Sequence, residues 1–278
     1  MNPVIKTFDK LCALPVELFA NRRLMWKLAK NDFKKRYAGS YLGAFWALMQ
    51  PVVTVVMYHV AFGFLGISSG PTTASGRFVP QVLFLTAGLV PWFYFSEALN
   101  SGTHALLEYS YLVKKVVFKI SILPIIKIIG ATFIHLFFVL VLLVVAVSYG
   151  FYPTIFIIQL PYYSLCLFVF ILALSYTTCA VIVFFRDLGQ IINILLQIGV
   201  WATPILWSIH NVHGTIKTIL MLNPLVYVVN GYRSAIYEHT WFFQDMNATM
   251  YFWIVTLLCF IFGALIFKRL KVHFADVL

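Results

Sequence analysis

Long apolar stretches constrain the fold of this chain more than any other feature of its sequence. Six runs of mostly apolar residues, separated by short polar segments, lie between residues 41 and 267. A helix needs roughly 20 apolar residues to cross the hydrocarbon core of a bilayer. Only 10% of the residues are charged, whereas soluble domains carry about 25%. We therefore expect an all-α polytopic membrane protein, whose 278 residues leave no room for a separate catalytic domain.

The six runs predict six transmembrane helices in a single transmembrane domain. Their boundaries are set where apolar residues give way to Gly, Pro, Ser or charged residues. The predicted spans cover residues 41–65, 78–99, 123–149, 160–185, 189–207 and 250–267. Residues 208–246 are also partly apolar, but Asn223-Pro224 interrupts them and Gly231 and Arg233 follow.

The positive charges decide whether that segment adds a seventh span. Nine of the 20 Lys and Arg residues precede residue 37. Basic residues concentrate on the cytoplasmic side of membrane proteins. Six spans leave both termini in the cytoplasm, whereas a seventh would move Lys268, Arg269 and Lys271 outside. Residues 208–246 are therefore predicted to form two short re-entrant helices that enter the membrane from the extracellular side.

The segment before the first span has the pattern of an amphipathic helix. Over residues 14–36, an apolar stripe that includes Met25, Ala29 and Phe33 opposes a basic face that includes Lys27 and Lys30. This pattern is typical of a helix that lies on the surface of an anionic membrane. A solvated helix of a cytosolic domain is the alternative interpretation.

Several kinds of chemistry have no sequence signature here. The chain lacks the phosphate-binding loop GxxxxGK[ST], so it is not expected to hydrolyse ATP by itself. No catalytic constellation is found, and His210 and His213 lack a third ligand, so no metal site is predicted. Glu97 is interpreted as a polar residue at the inner end of its helix. The net charge of +11 follows the predicted topology and does not indicate nucleic-acid binding.

The aromatic residues, 18% of the chain, allow two interpretations. The first is a belt of rings at the membrane interfaces. The second is a passage lined by ring faces, along which sugars slide. In the second case Lys34, Lys35 and Arg36 would suit a pyrophosphate head group at the cytoplasmic surface.

The order of short motifs resembles one transporter family. A basic helix ends in the sequence DFKKRY and is followed by SYLGAFW and QP; then come AGLVPWF, ILP, FRD and NP. This order is similar to that of permease subunits of ATP-binding-cassette exporters for lipid-linked polysaccharides, which export teichoic acids, O-antigens and capsules. The resemblance covers nearly the whole chain, and the YLG and AGLVPWF elements lean toward the teichoic acid branch.

This resemblance implies a homodimer in a bacterial cytoplasmic membrane, bound to two copies of a separate ATP-binding subunit that carries ATP and Mg²⁺. Its substrate would be a polyprenyl-pyrophosphate-linked polysaccharide. A coupling helix at residues 106–115 and the turn after the fourth span would contact the ATPase, through Glu108, Tyr109, Tyr111, Lys114, Arg186 and Asp187. The implied channel-lining or aromatic residues are Trp46, Met49, Tyr58, Trp92, Gln197, Trp201 and Trp207. The implied outer gate comprises Tyr227, Tyr232 and Arg233.

Two alternatives stay open at the level of the sequence. A drug or lipid exporter of the same architecture would bind a compact amphiphile and would not depend on polymer synthesis. An integral-membrane transferase acting on polyprenyl-linked sugars would need clustered acidic or His residues at the membrane face. The candidates for that role on the inner side, Glu97, Glu108 and Asp187, belong to different segments.

Overall fold

The computed structural model describes residues 21–37, 43, 45–64, 69–73, 76–113, 119–209 and 212–277. Lys114, His210 and residues 14–20 of the predicted N-terminal helix lie outside these ranges. In chain order the helices are α1 (Arg22–Tyr37), α2 (Phe45–Phe64), α3 (Gln81–Glu108), α4 (Ser110–Val113), α5 (Leu123–Ser148), α6 (Gln159–Ile182), α7 (Leu188–Ala202), α8 (Thr215–Met221), α9 (Pro224–Arg233), α10 (Met246–Leu270) and α11 (Phe274–Val277). Strands β1 (Ser69–Thr72) and β2 (Phe78–Pro80) form an antiparallel hairpin between α2 and α3.

The helix lengths confirm an all-α polytopic membrane protein. Among the described residues, five helical segments are long and apolar enough to cross a membrane, at Phe45–Phe64, Gln81–Glu108, Ile120–Ser148, Ile155–Ile182 and Phe242–His273. Helix α7 is apolar but has 15 residues, which extend over about 22 Å. The hydrocarbon core is about 30 Å thick. The count of six spans therefore stays a prediction.

Helix α7 ends at Ala202, whereas the sequence predicts a span that continues to residue 207. Thr203 is in an extended conformation, with φ −92° and ψ 139°. The residue before a proline is biased toward such a conformation, and Pro204 follows it. The predicted end of this helix is wrong for that local reason, and Trp207 lies in the turns beyond it.

Helix α3 lies at the centre of the bundle. It makes its most extensive contacts with α5 and α6, and α10 packs on the α6 side. Most of α3 is buried, whereas no residue of α2 is buried. Small residues allow close approach where helices cross: a Cβ on Gly102 would lie 2.5 Å from Ser175 Oγ. The core is thus formed by α3, α5, α6, α9 and α10, with α2 on the outside.

The segment between α7 and α10 contains two short helices, α8 and α9, and then a π-helical turn at Ser234–Glu238. Helix α9 begins where Asn223-Pro224 predicts a break. The Asn223 side chain accepts a hydrogen bond from the Leu225 amide, and Pro224 occupies the first turn. The π-helical turn ends at His239, whose φ is 56°. None of these helices is long enough to cross a membrane.

Helix α1 packs on the protein itself. Its apolar stripe places Met25 and Ala29 in the core, and Trp26 and Phe33 both make edge-on ring contacts with Phe133 of α5. Lys34 and Lys35 at its C-terminal end are exposed. The basic face therefore stays accessible while the apolar face is covered by α5.

Candidate functional site

A buried lysine joins three helices at the end of the bundle that the positive charges predict to be the inner one. Lys127 lies one turn into α5, and its side chain is only 3% exposed. Its Nζ atom lies 2.8 Å from Asp32 Oδ1 of α1 and 2.5 Å from Glu108 Oε2 at the end of α3. The Tyr109 hydroxyl donates a hydrogen bond to the same Asp32 oxygen. We call Asp32, Glu108, Tyr109 and Lys127 the inner lysine cluster.

The inner lysine cluster pairs its charges closely. Burial of an isolated ammonium group costs several kcal/mol. The two carboxylates of Asp32 and Glu108 offset that cost for Lys127. Lys127 Nζ also lies 4.9 Å from the centroid of the Tyr109 ring, a cation–π distance. Burial and the hydrogen bond to Asp32 raise the pKa of the Tyr109 phenol, which therefore stays a donor. Glu108 and Tyr109, predicted to contact an ATPase, are thus bound to the chain's own Lys127 and Asp32.

A second ion pair lies further along α3. Arg36, at the end of α1, pairs with Glu97 and donates a second hydrogen bond to Ser101 Oγ over 2.6 Å. Ser101 in turn donates to Glu97 Oε1 over 3.1 Å. Glu97 is therefore half-buried and paired, which the sequence did not reveal. The Arg36 side chain remains 32% exposed, so the guanidinium group is accessible on one side.

Polar contacts also connect α3 to α6 and α7. Asn100 donates to Asn193 of α7 over 2.7 Å, and the hydroxyls of Thr103 and Thr178 lie 2.8 Å apart. Unsatisfied polar groups are costly inside a membrane, so such pairs hold neighbouring helices in register. The turn with Arg186 and Asp187 joins α6 to α7 and is exposed. The predicted coupling turn thus joins two helices that are both hydrogen-bonded to α3, the helix that carries Glu108.

At the opposite, predicted outer end, Arg233 of α9 is buried at 5% exposure. Its NH1 and NH2 groups donate to the carbonyl oxygens of Pro204 and Ile205 over 2.6 and 2.8 Å. Its guanidinium carbon lies 3.8 Å from the centroid of the Phe84 ring in α3. The carbonyls beyond the end of α7 have no helical partner, and buried backbone groups need a hydrogen-bond partner. Arg233 supplies that partner.

Tyr232, beside Arg233, is fully buried and faces the bundle. Its hydroxyl lies 2.6 Å from Ser164 Oγ and 2.9 Å from His135 Nε2. The Tyr94 ring stacks on the other side of the system, with its centroid 4.3 Å from that of His135. Tyr232 and Arg233 therefore anchor α9 to α3, α5, α6 and the end of α7. Tyr227, one turn earlier, instead reaches Tyr162 and Thr249 with its hydroxyl.

Comparison with known proteins assigns the sequence to a family. Residues 23–237 match the family described as ABC-2 type transporter. The chain belongs to the ABC-2 type transporter family.

Three curated relatives of this ABC-2 transporter extend over nearly its whole length. The chain is 29% identical to the O-antigen export system permease protein RfbA of Myxococcus xanthus, over 94% of this chain and 97% of that protein. It is 24% and 23% identical to two proteins of the same name from Klebsiella pneumoniae, each over 92% of this chain and 95% of the relative. The family match runs from the start of α1 to the turn after α9, so it includes the inner lysine cluster, the Arg36–Glu97 pair and the contacts of Tyr232 and Arg233.

The aromatic residues predicted to line a channel fall into two groups in this ABC-2 transporter. Trp46 and Trp201 are 58% and 59% exposed, and the Tyr58 ring of α2 meets the Trp201 ring of α7 edge-on. Met49 and Gln197 lie on the same two helices, and Trp207 donates to the Trp201 carbonyl oxygen over 2.9 Å. Trp92, by contrast, is 7% exposed and packs on Gly199. The structure therefore groups the predicted residues of α2 and α7 and buries Trp92 in the core.

The sequence patterns did not identify the roles of Lys127, Asp32 and Glu97. One signal was available, because a charged residue within an apolar span is almost always paired. The partners could not be named, since they lie on α1 and α3, up to 95 residues away. Within the described residues, no three His, Cys, Asp or Glu side chains form a possible metal site.

Proposed function

We propose that this chain is the transmembrane subunit of an ATP-driven exporter that moves a polyprenyl-pyrophosphate-linked cell-surface polysaccharide across the cytoplasmic membrane. The observation that carries the proposal is the similarity to three O-antigen export permeases over more than nine-tenths of each chain. Their names favour a polysaccharide of the O-antigen type over a teichoic acid. The termini would lie in the cytoplasm, as the positive charges predict.

ATP hydrolysis would come from two copies of a separate ATP-binding subunit, which would hold ATP and Mg²⁺. The chain itself has no phosphate-binding loop to hold a nucleotide. Two exposed inner features are the proposed contacts: the short helix α4 with Tyr111, which is 54% exposed, and the turn at Arg186 and Asp187. Helix α4 follows α3 closely along the chain, and the turn joins α6 to α7, both of which are hydrogen-bonded to α3. A displacement at either contact would therefore act on the centre of the bundle.

Two copies of the chain would form the exporter. Helix α2 has no buried residue, and α7 exposes large apolar side chains, among them Leu195 at 61% and Ile198 at 58%. Exposed apolar surface of this extent indicates contact with lipid or with another subunit. We propose that α2 and α7 of the two copies enclose the passage. Trp46, Tyr58 and Trp201 would then offer ring faces to the moving polymer.

The head group of the substrate would bind at the inner rim. Lys34 and Lys35 are exposed at the end of α1, and Arg36 beside them is held by Glu97 and Ser101. The exposed lysines attract anionic groups at the membrane surface. The fixed guanidinium can meet a phosphate with defined geometry.

Deletion of the gene in a strain with a controllable first step of polymer synthesis tests the proposal. We expect loss of surface polysaccharide and accumulation of the lipid-linked polymer inside the cell, both reversed by the wild-type chain. Unchanged surface polysaccharide would overturn the proposal. If only sensitivity to an amphiphile changed, the drug or lipid exporter would replace it. If the polymer were shortened or not made, the transferase would replace it.

A further inference from the structure

A cavity of about 600 Å³ lies on the predicted outer side of the bundle, and Tyr227 of the implied outer gate is one of its lining residues. Its walls are α9, the 3₁₀ turn Phe242–Asp245 and the first turns of α10. Small-molecule sites in proteins usually have volumes of roughly 300–1,000 Å³, with apolar walls and a few placed polar groups. We call it the outer cavity.

Aromatic side chains form much of the wall of the outer cavity. Tyr163, Tyr227, Trp241 and Tyr251 all line it. The Tyr251 hydroxyl donates to the Leu222 carbonyl oxygen over 2.6 Å, and Tyr227 bonds to Thr249. Since these hydroxyls already have partners, the rings present mainly apolar surface to the cavity. These bonds fix the positions of Tyr227 and Tyr251, which limits the entropy lost when a ligand binds.

Trp241 is held from behind by other rings. Its ring centroid lies 4.9 Å from that of Phe156, and it stacks on Phe243 at 5.7 Å. A sugar ring presents a face of C–H groups that packs well on an indole or phenol ring. A rigid aromatic wall therefore suits sugars better than a flexible aliphatic wall does.

Amide side chains supply the polar part of the cavity. Asn230, Gln244 and Asn247 line it, and their side chains make no hydrogen bond to any residue that the structure describes. Asn223, by contrast, uses its amide to bond Thr203 and to cap α9. An amide offers both donors and an acceptor. Sugar hydroxyls need both, so three available amides match a ligand rich in hydroxyl groups.

The charge of the lining limits the class of ligand further. Asp245 is the one charged residue among the described residues that line the cavity. Its carboxylate already caps α10 by accepting from the Ala248 amide over 3.1 Å. Phosphate groups are recognised by Arg, Lys or uncapped helix N-termini, and the described lining offers none of these. The outer cavity therefore disfavours a polyol phosphate.

We infer that the outer cavity binds a short neutral stretch of the exported polysaccharide at the outer surface. This inference rests on the proposed function, and it deepens it by selecting an uncharged oligosaccharide over a teichoic acid chain. The residues that contact the sugar are Trp241 and Tyr251 through their rings and Asn230 and Gln244 through their amides. Because the cavity lies against α9, an occupied cavity contacts the segment that Arg233 holds in place.

Binding to the purified full-length chain, together with its ATP-binding subunit in lipid nanodiscs, tests the inference. The neutral probe is a set of lipid-free oligosaccharides released from the host's own surface polysaccharide. The anionic probe is a glycerol phosphate oligomer of similar length. Saturation-transfer NMR reports which probe contacts the protein, and calorimetric titration gives the affinity. We expect the neutral probe to bind and the glycerol phosphate oligomer to bind at least about tenfold more weakly.

Two variants locate the site. The double variant Asn230→Ala with Gln244→Ala removes two hydrogen-bonding groups and should weaken neutral binding about tenfold or more. Trp241→Ala should abolish the transfer signal. Tyr152→Ala is the matched control: Tyr152 is an aromatic residue of the outer loop after α5, is 70% exposed and does not line the cavity. Its affinity should equal that of the wild type, and all variants should elute as the wild-type assembly.

The outcomes separate this inference from the proposed function. If gene deletion leaves surface polysaccharide unchanged, the proposed function fails. If export requires the chain but the neutral probe does not bind, or binds the double variant as well as the wild type, the inference alone is overturned. Equal or tighter binding of the glycerol phosphate oligomer also overturns it.

Discussion

Replacement of Lys127 with Met tests whether the inner lysine cluster holds α1, α3 and α5 together. The substitution keeps the volume of the side chain and removes the cation. Asp32, whose side chain is 12% exposed, then keeps Tyr109 as its remaining partner within the cluster. Removal of one partner of a buried ion pair costs about 3–5 kcal/mol, because the other charge stays buried. Asp32 is slightly accessible, so we expect a loss at the lower end, about 3 kcal/mol.

The two carboxylates should not contribute equally. Asp32→Asn removes the less exposed partner but leaves Lys127 paired with Glu108, and a hydrogen bond to a charged group contributes about 1.5–3 kcal/mol. Glu108 is 50% exposed, and solvent screening reduces the contribution of such a pair to about 1 kcal/mol or less. The predicted order of destabilisation is therefore Lys127→Met, then Asp32→Asn, then Glu108→Gln.

Thermal unfolding in detergent, followed by size-exclusion chromatography of the fraction that stays soluble, measures this order. The double variant Lys127→Met with Asp32→Asn is the decisive control, since it removes both buried charges. We expect it to unfold at a higher temperature than Lys127→Met alone. The reasoning is refuted if the double variant is the least stable, or if Glu108→Gln is as damaging as Lys127→Met.

Three further predictions concern the other contacts. Arg233→Lys should lower the unfolding temperature, because a single ammonium cannot reproduce the planar fork that reaches Pro204 and Ile205; equal melting of the two proteins would contradict this. Gly231→Ala should destabilise the chain by about 1–3 kcal/mol, since the added Cβ would lie 2.2 Å from the Tyr163 ring. A melting curve like that of the wild type would show that the Tyr163 ring moves aside at no cost. Glu97→Gln should raise the salt sensitivity of polymer-stimulated ATPase activity, because Arg36 loses its ion pair; an unchanged salt profile would argue against a role for Arg36 at the inner rim.

Local signals predicted some boundaries closely. The third predicted span, 123–149, differs by one residue from α5 at Leu123–Ser148. Its start carries Pro124 in the first turn, and its end is followed by Gly150 at φ 76°. A proline in the first turn and a glycine just past the end are local sequence signals for the two ends of a helix. Such a helix can be delimited without knowledge of the rest of the fold.

The end of α7 and the partners of Lys127 depend on distant residues. The chain beyond α7 leaves the helix at Thr203 because Pro204 follows, and its free carbonyls are tolerated because Arg233 reaches them from 28 and 29 positions away. Hydropathy alone continues the span through this point. In the same way, a run of apolar residues shows that Lys127 must be paired, but the fold decides with which residues.

Helix α3 connects the inner and outer clusters within one rigid element. Its C-terminal end carries Glu108 of the inner lysine cluster, its middle binds Arg36 and Asn193, and its outer third supports Arg233 through the Phe84 ring. Phe84 and Glu108 are 24 residues apart, about 36 Å along a helix. A displacement of the inner end must therefore either carry the outer end with it or bend α3. Pro91 lies between the two ends and lacks an amide to bond the preceding turn, so bending, if it occurs, belongs there. In the first case the displacement reaches Phe84, and with it the ring on which Arg233 packs.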